Sequence, residues 1–275
     1  MSYWERKEEL KQKARAHTAE MDRLYADAIK HSRENAKIYD NKSFPKDFLK
    51  KEELSNDKAL VYVSDADSVT AIDSFIKPNE KIAVLNFASY KHPGGMFFNG
   101  SSAQEESLCH ESFLFNVLRE FEKDYYEWNK RNLNRGLYTN RGLYVPDVIF
   151  KRTNNIIDTE MKCDVITCAA PNKTTAQKYN NVSDAENKRV LEDRIEFVLN
   201  MAVDNNVDIL ILGAFGAGVF GQDAKEVAEI FLSMLRKGYG RKFKTIVFAV
   251  PKGNKKFSKN YNDFMDVMVR QFKKN

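Results

Sequence analysis

Short, continuous apolar runs alternate along this chain with longer stretches whose apolar residues recur every three or four positions. Ala59–Val63, Ile82–Phe87, Asp164–Ala170, Val207–Leu212 and Thr245–Val250 are the compact runs, and each reads as a strand. The helical spacing occupies residues 2–39, Asp65–Ile76, a stretch from Gln104 to about Tyr126, Glu186–Asp204, Asp223–Lys237 and Phe257–Phe272. Leu143–Lys151 suits an extended or hairpin segment, and Pro146 argues for an edge because proline cannot donate to a ladder. Strands that are apolar throughout and alternate with helices predict an α/β fold whose mostly parallel sheet is covered on both faces. Met21, Leu24, Tyr25 and Ile29 make one apolar stripe near the N-terminus, and residues 40–57 are polar. The expected organisation is therefore an N-terminal helical extension, residues 1–57, packed on a main domain of residues 58–275.

In such folds ligands lie at the carboxyl ends of strands. Two glycine-rich loops fall there, Pro93–Ala103 and Gly213–Gln222, and one cleft between them is expected. The first reads PGGMFFNGSSAQEE through Glu106, so Gln104, Glu105 and Glu106 open the following helix. Carboxylates at a helix start sit in a positive field that favours their ionised form. One of them serves as a proton donor only if burial or a neighbour raises its pKa against that pull. By itself an acidic helix start is commonplace. The second loop, GAFGAGVFG over Gly213–Gly221, satisfies GxGxxG after a strand and before a helix, and small residues there let backbone N–H groups approach phosphate oxygens. A nicotinamide or flavin dinucleotide site fits poorly: the motif comes late in the chain, and Val250-Pro251-Lys252 stands where a ribose-binding acid is expected. No kinase signature follows. A diphosphate cradle is preferred to a ligand-free turn.

Composition changes this picture little. The chain of 275 residues is 43% apolar and 30% charged, ample for one sizeable core. Its net charge of +5 reads as solvated lysine, with a weak and unspecific pull toward polyanions such as nucleic acid. Cys109, Cys163 and Cys168 form no CxxC, which suits a reduced, intracellular setting. The N-terminus is too charged for a signal peptide and no apolar run reaches membrane length, so a soluble, cytoplasmic protein is expected. His92, His110 and Cys109 lie near the first loop but do not make a four-ligand zinc set.

Taken together, the two loops resemble those of poly(ADP-ribose) glycohydrolases. Leu85-Asn86-Phe87-Ala88, then Pro93-Gly94-Gly95, the spacer Phe97–Ala103 and Gln104-Glu105-Glu106 are similar to the family's glycine-triplet signature. The second loop resembles its diphosphate loop, with an aromatic at Phe220. LYVPDVIF (Leu143–Phe150) and DVITCAAPN (Asp164–Asn172) look like the microbial branch, and the resemblance runs in order over roughly residues 15–275.

It implies a macrodomain, a three-layer α/β/α sandwich with a mixed, mostly parallel sheet. It implies a substrate of ADP-ribose in a polymer or on an ADP-ribosylated macromolecule, cleaved at the ribose O-glycosidic bond. Glu106 would donate the proton to the leaving oxygen and then take one from water, and Glu105 would bind hydroxyls of the adjoining ribose. Adjacent helix residues point in different directions, which suits two roles. Gln104 would hold loop or substrate, Asn86 would contact the nucleoside, and Gly94 and Gly95 would allow close approach. Gly216, Ala217, Gly218 and Val219 would wrap the diphosphate, and Phe220 would press on the distal ribose. No metal or cofactor is implied, and a monomer suffices. Asn172, Tyr138 and Tyr144 are secondary candidates for substrate contact, with turn-forming or packing roles as the alternative.

Two positions depart from the pattern. Met96 stands where the third glycine is expected, and Ser89 where asparagine is usual. Either change would lower turnover, alter linkage preference or leave a non-catalytic ADP-ribose reader, which is the alternative to the hydrolase. A third reading is a protein that uses its basic ends on nucleic acid.

Overall fold

The computed structural model describes residues 3–51, 55, 57–154, 157–253 and 255–272. In chain order the elements are α1 (Tyr3–Leu24), α2 (Ala26–Glu34), β1 (Lys37–Asp40), α3 (Phe48–Lys51), β2 (Leu60–Ser64), α4 (Ser68–Phe75) and β3 (Ile82–Phe87). Then come α5 (Gln104–His110), α6 (Leu114–Leu118), α7 (Glu127–Arg131), β4 (Arg141–Asn154), β5 (Ile157–Cys168), α8 (Lys173–Asn180) and α9 (Asp184–Asp204). The chain finishes with β6 (Ile209–Leu212), α10 (Ala224–Lys237), β7 (Thr245–Ala249) and α11 (Lys255–Phe272).

The seven strands form one sheet in the order β1-β4-β5-β3-β6-β7-β2. The five strands from β5 to β2 run parallel, and β4 and β1 are antiparallel additions at one side. Period two explains why the strands read as unbroken apolar runs. Ala83, Leu85, Leu210, Leu212, Ile246 and Phe248 face one core, filled by Ile195, Val198 and Leu199 of α9, Phe231 of α10 and Phe264 of α11. Ile82, Val84, Ile209, Ile211 and Val247 face the other, filled by Val69, Ile72, Leu108, Leu114 and Val117 together with Met21 and Ile29 from the first two helices. The result is the three-layer α/β/α sandwich with a mixed, mostly parallel sheet.

Three local readings change. Residues 37–40 continue no helix; they pair with Arg141–Tyr144 as the edge strand β1. That places β4 inside the sheet, and Pro146 sits instead at an irregularity between Val145 and Val148. Asp147 there has φ 57°, and its N–H is taken by Asp164 Oδ1 at 2.8 Å, so the bulge leaves no buried donor open. The predicted helix from Gln104 stops at His110. Ser112 ends it by donating its hydroxyl to Leu108 O at 2.7 Å and accepting the Leu114 N–H at 3.0 Å.

The α1 helix lies along this helical layer. Ser112 O lies 2.8 Å from His17 Nε2, and Asn116 Nδ2 donates to Thr18 O and Asp22 Oδ1 at 2.9 and 2.8 Å. Gly100, at the far end of the first loop, packs so closely on α1 that an added Cβ would lie 2.3 Å from Lys7 O. None of the described helices is long and apolar enough to cross a membrane.

Candidate active site

Because β3 and β6 are neighbours, the loops that follow them emerge side by side. Their pairing ends at Val84–Ile211, leaving the last residues of β3 without a β6 partner. The side chain of Gln104 takes over that role. Its Oε1 accepts the Phe87 N–H at 2.9 Å, and its Nε2 donates to Leu85 O at 2.9 Å and to Ser68 Oγ at 3.0 Å. An amide carries a donor and an acceptor at the spacing of a strand edge, so Gln104 docks α5 onto the sheet. Asn86 is fully buried, and its Nδ2 reaches Glu105 Oε1 and Thr167 Oγ1, both at 3.3 Å. Both residues thus position the carboxylates from the sheet side.

Glu105 and Glu106 are almost wholly buried. Successive helix residues start about 100° apart, yet here both carboxylates turn under the 94–96 turn. A Cβ on Gly95 would lie 2.7 Å from Glu106 Oε1 and 2.9 Å from Glu105 Oε2, so only glycine, at φ 59°, fits above the pair. Gly94, at φ 63°, has Phe115 against it instead. Glu105 Oε2 accepts the Ser89 N–H at 2.7 Å. Burial pushes the Glu105 carboxyl up to about 8; the Ser89 and Asn86 donors oppose that rise, and Glu106 beside it adds to it. Glu106 Oε1 accepts the Met96 N–H at 2.8 Å, while its buried Oε2 has no partner among the described residues.

The two departures prove compatible with this geometry. Met96 has φ −105°, where a side chain is unstrained, and it is half-exposed with Sδ 3.5 Å from Asn99 Nδ2. Its side chain leaves the site while its backbone serves it. The Ser89 hydroxyl accepts the N–H groups of Lys91 and His92 at 3.3 and 3.2 Å, so it shapes the loop that places its own amide on Glu105.

Opposite, residues 213–222 close on themselves through Phe215 N–H to Gly213 O at 2.8 Å, Ala217 N–H to Ala214 O at 3.0 Å and Gln222 N–H to Gly216 O at 3.0 Å. Ala217 therefore spends its donor inside the loop. The N–H groups of Gly216, Gly218, Val219 and Phe220 meet no acceptor among the described residues. Gly216 needs its glycine: φ is 78°, and a Cβ would come within 2.7 Å of Ala170 Cβ. Gly218 faces open space and Val219 is exposed. A cavity of about 510 Å³ lies between this loop, Gln104 and the start of α4 at Ser68, with Pro251 and Asn260 at its rim. Gly216, Gly218, Val219 and Phe220, whose amides are free, are among its lining residues, and a row of free amide donors suits an anionic diphosphate.

The catalytic-domain description of the microbial-type PARG family matches residues 8–153, more than half of the chain. The chain belongs to that family. Its structure is similar to the poly(ADP-ribose) glycohydrolase of Thermomonospora curvata, with a TM-score of 0.83 and 26% identity, covering 94% of this chain and 99% of that one. The same enzyme bound to the inhibitor ADP-HPD gives 0.82 at 26% identity over the same shares. The Deinococcus radiodurans enzyme, in complex with ADP-ribose, gives 0.79 at 25% identity, covering 87% of this chain and 96% of that one. No curated protein matches the chain in sequence.

As a hydrolase of the poly(ADP-ribose) glycohydrolase type, the protein carries features that its motifs did not announce. Tyr138 does not present a free face: it stacks on Tyr90 with ring centroids 4.1 Å apart, and Phe220 meets it edge-on at 6.0 Å. Tyr144 is buried and bonded to Asp164, away from either loop. Asn172 caps α8 by accepting the Thr175 N–H at 2.9 Å. His92 stays in the loop turn at Ser89. Among the described residues no His, Cys, Asp and Glu set has the grouping of a metal site. Arg194 lies in no motif. It interrupts the apolar stripe of α9, is fully buried, and donates to Asn140 Oδ1 at 2.6 Å, to Leu137 O at 3.4 Å and to Ala169 O. A charged residue on the apolar face of an amphipathic helix was the available signal.

Proposed function

We propose that this chain releases ADP-ribose from poly(ADP-ribose) or from ADP-ribosylated macromolecules, with Glu106 as the general acid and base. The observation that carries the assignment is the unpartnered, buried Oε2 of Glu106 beside a glutamic acid whose pKa is raised. Burial keeps the proton on Glu105 at neutral pH, with the neighbouring Glu106 charge adding to the effect. Both oxygens of Glu105 already face donors, whereas the buried Glu106 Oε2 has no partner among the described residues. Glu106, the member with an unpartnered oxygen, would therefore deliver the proton. It goes to the leaving ribose oxygen as the C1–O bond breaks through an oxocarbenium-like state. Glu106, now a carboxylate, takes a proton from the attacking water as the water oxygen bonds to C1, which restores the starting state and yields ADP-ribose.

The remaining parts fit the same reaction. Free N–H groups of Gly216, Gly218, Val219 and Phe220 would receive the diphosphate, with Ala217 tightening the loop. Gly94 and Gly95 keep the turn thin over the acids, and Gln104 and Asn86 hold them. Phe220 would bear on the distal ribose. One chain supplies both loops, so a monomer suffices; of the N-terminal extension, α1 and α2 brace the helical layer and β1 joins the sheet. Direct nucleic-acid binding is not required.

The test is ADP-ribose release from a poly(ADP-ribosyl)ated protein, wild type beside Glu106→Gln, with ADP-ribose binding measured on both. Release lost in the variant while binding persists supports the hydrolase and its acid. Binding without release in either protein points to a reader. Release that survives the substitution moves the acid elsewhere.

A further inference from the structure

Asn187 and Arg194 interrupt the apolar face of α9 and are both fully buried. They stand two helical turns apart and so share one side of the helix. Asn187 reaches the second loop. It exchanges two amide hydrogen bonds with Gln222, at 2.9 and 3.0 Å, and Gln222 Nε2 also donates to Pro171 O at 2.8 Å. Arg194 gathers two other segments. It donates to Asn140 Oδ1 at 2.6 Å and to Leu137 O at 3.4 Å, and to Ala169 O just past the end of β5. All three acceptors are neutral, and among the described residues no carboxylate pairs with the guanidinium. A buried charge without a counter-charge is costly, and apolar packing in its place would serve stability as well or better. What a guanidinium adds is geometry, several N–H donors fixed in a planar fork.

That fork brackets Tyr138, between Leu137 and Asn140. Tyr138 has φ 62°, an angle a tyrosine keeps only where its surroundings enforce it. Its ring is the middle member of three. Tyr90 stacks on it at 4.1 Å with the planes 11° apart, and Phe220 meets it edge-on at 6.0 Å. Ala169, the third residue that Arg194 grips, packs in the same cluster. Each outer ring belongs to one half of the site. Tyr90 follows Ser89, whose N–H binds Glu105, and its hydroxyl lies 2.9 Å from Thr139 Oγ1, beside Tyr138 in the chain. Phe220 ends the row of free amides and lines the cavity. The three rings thus join the Glu105 loop to the second loop. Their middle member is fixed by α9, the helix that also holds Gln222.

We propose that Arg194 is a positioning residue: by gripping Leu137, Asn140 and Ala169 it sets the Tyr90–Tyr138–Phe220 stack, and with it the place of Phe220 relative to the Glu105–Glu106 loop. The proposal rests on the hydrolase reading above. Holding the diphosphate is the work of the backbone amides, whereas cleavage also needs the distal ribose aligned with the acid. Arg194 therefore acts on turnover rather than on affinity.

The experiment measures poly(ADP-ribose) hydrolysis and ADP-ribose binding for wild type, Arg194→Lys, Tyr138→Ala and the double variant, each well below its melting midpoint. Lysine keeps the charge and loses the fork. Arg194→Lys should lower kcat about tenfold while polymer KM and ADP-ribose Kd stay within about twofold, as a small misplacement at the reacting carbon requires. Tyr138→Ala should lower kcat to a similar degree. The double variant should be within about twofold of the slower single one, because both substitutions break one device. Losses that multiply, an unchanged kcat in Arg194→Lys, or an affinity that falls in step with kcat overturn the assignment and leave the hydrolase intact. If Arg194→Lys does not fold, Asn140→Ala decides in its place, since it removes one acceptor at a half-buried position. There kcat should fall about threefold, with no further loss in the Tyr138→Ala background; no fall, or a multiplied one, overturns the assignment. A wild type that binds ADP-ribose and releases none from polymer overturns the hydrolase reading, and this one with it.

Discussion

The backbone N–H of Met96 holds Glu106 Oε1 at 2.8 Å, so the residue at the one broken glycine of the first loop is tied to the proposed acid by its main chain alone. Its side chain points to Asn99 and solvent. Met96→Gly should accordingly leave polymer hydrolysis within about threefold and cost under about 1 kcal/mol, the entropy of a freer loop. Steady-state rates and a melting curve check this. A gain in rate of about tenfold or more would mean that the thioether obstructs the substrate.

Glu105 links stability to pH. Its folded pKa of about 8 lies above the ordinary value of 4.5, so between those limits the folded state keeps a proton that the unfolded state has lost. Stability is thus fully present below about pH 4.5 and declines as pH rises toward 8, with a slope approaching about 1.4 kcal/mol per pH unit from this group. Glu105→Gln should flatten that slope in denaturant titrations across the window. Asn86 can serve the new amide by turning its Oδ1, which has no partner, toward it. The alkaline limb of activity should begin near pH 8 in the wild type and be lost from that position in the variant, which lacks the titrating carboxyl. An unchanged limb would remove the Glu105 proton from the mechanism.

Two alanines in the second loop should behave oppositely. Gly216→Ala forces a Cβ against Ala170 at φ 78° and should cost about 2 kcal/mol, with ADP-ribose binding impaired. Gly218→Ala meets nothing within 4 Å and should leave the melting temperature within a degree or two. Its methyl projects beside an unpaired amide, so calorimetry should show a severalfold weaker ADP-ribose affinity in a fully folded protein. If ADP-ribose binds Gly218→Ala as tightly as wild type, the amide row is not the diphosphate site.

His110 lies edge-on to Phe97 at 4.6 Å with both ring nitrogens buried and unpartnered among the described residues. Burial, with Lys13 and His17 nearby, lowers its pKa to about 4. As pH falls from about 6.5 to 4 the unfolded chain gains a proton that the folded one refuses, so this histidine destabilises the protein in acid. His110→Leu should raise stability by about 1 kcal/mol at neutral pH by removing unsatisfied polar atoms, and more at about pH 5. Thermal denaturation at the two pH values measures it; a loss at both would show that the ring has partners in solution.

The α/β class and the two loops were legible from the chain because a parallel strand covered on both faces is apolar at every position, as Ile82–Phe87 is, and because glycine-rich turns at strand ends leave a local mark. Gly216, Gly95 and the run Gln104-Glu105-Glu106 were marked out in the same way. Pairing along the sheet was not so visible. Lys37–Asp40 reads as the end of a helix until β4 supplies its hydrogen bonds, and Pro146 reads as an edge residue until Asp164 is seen to satisfy the bulge beside it.

What the sequence by itself determined is thus the set of local preferences: apolar period, turn chemistry, and which side chains stand at the ends of β3 and β6. Tertiary structure alone decided where polar atoms spend their hydrogen bonds. It put Gln104 on a strand edge, Ala217 N–H inside its own loop, and Glu105 and Glu106 side by side under Gly95. It also brought Leu137, Asn140 and Ala169 to one guanidinium, that of Arg194. Hydrogen bonds and charge fields depend on distances between residues remote in sequence, and those distances exist only once the layers have packed.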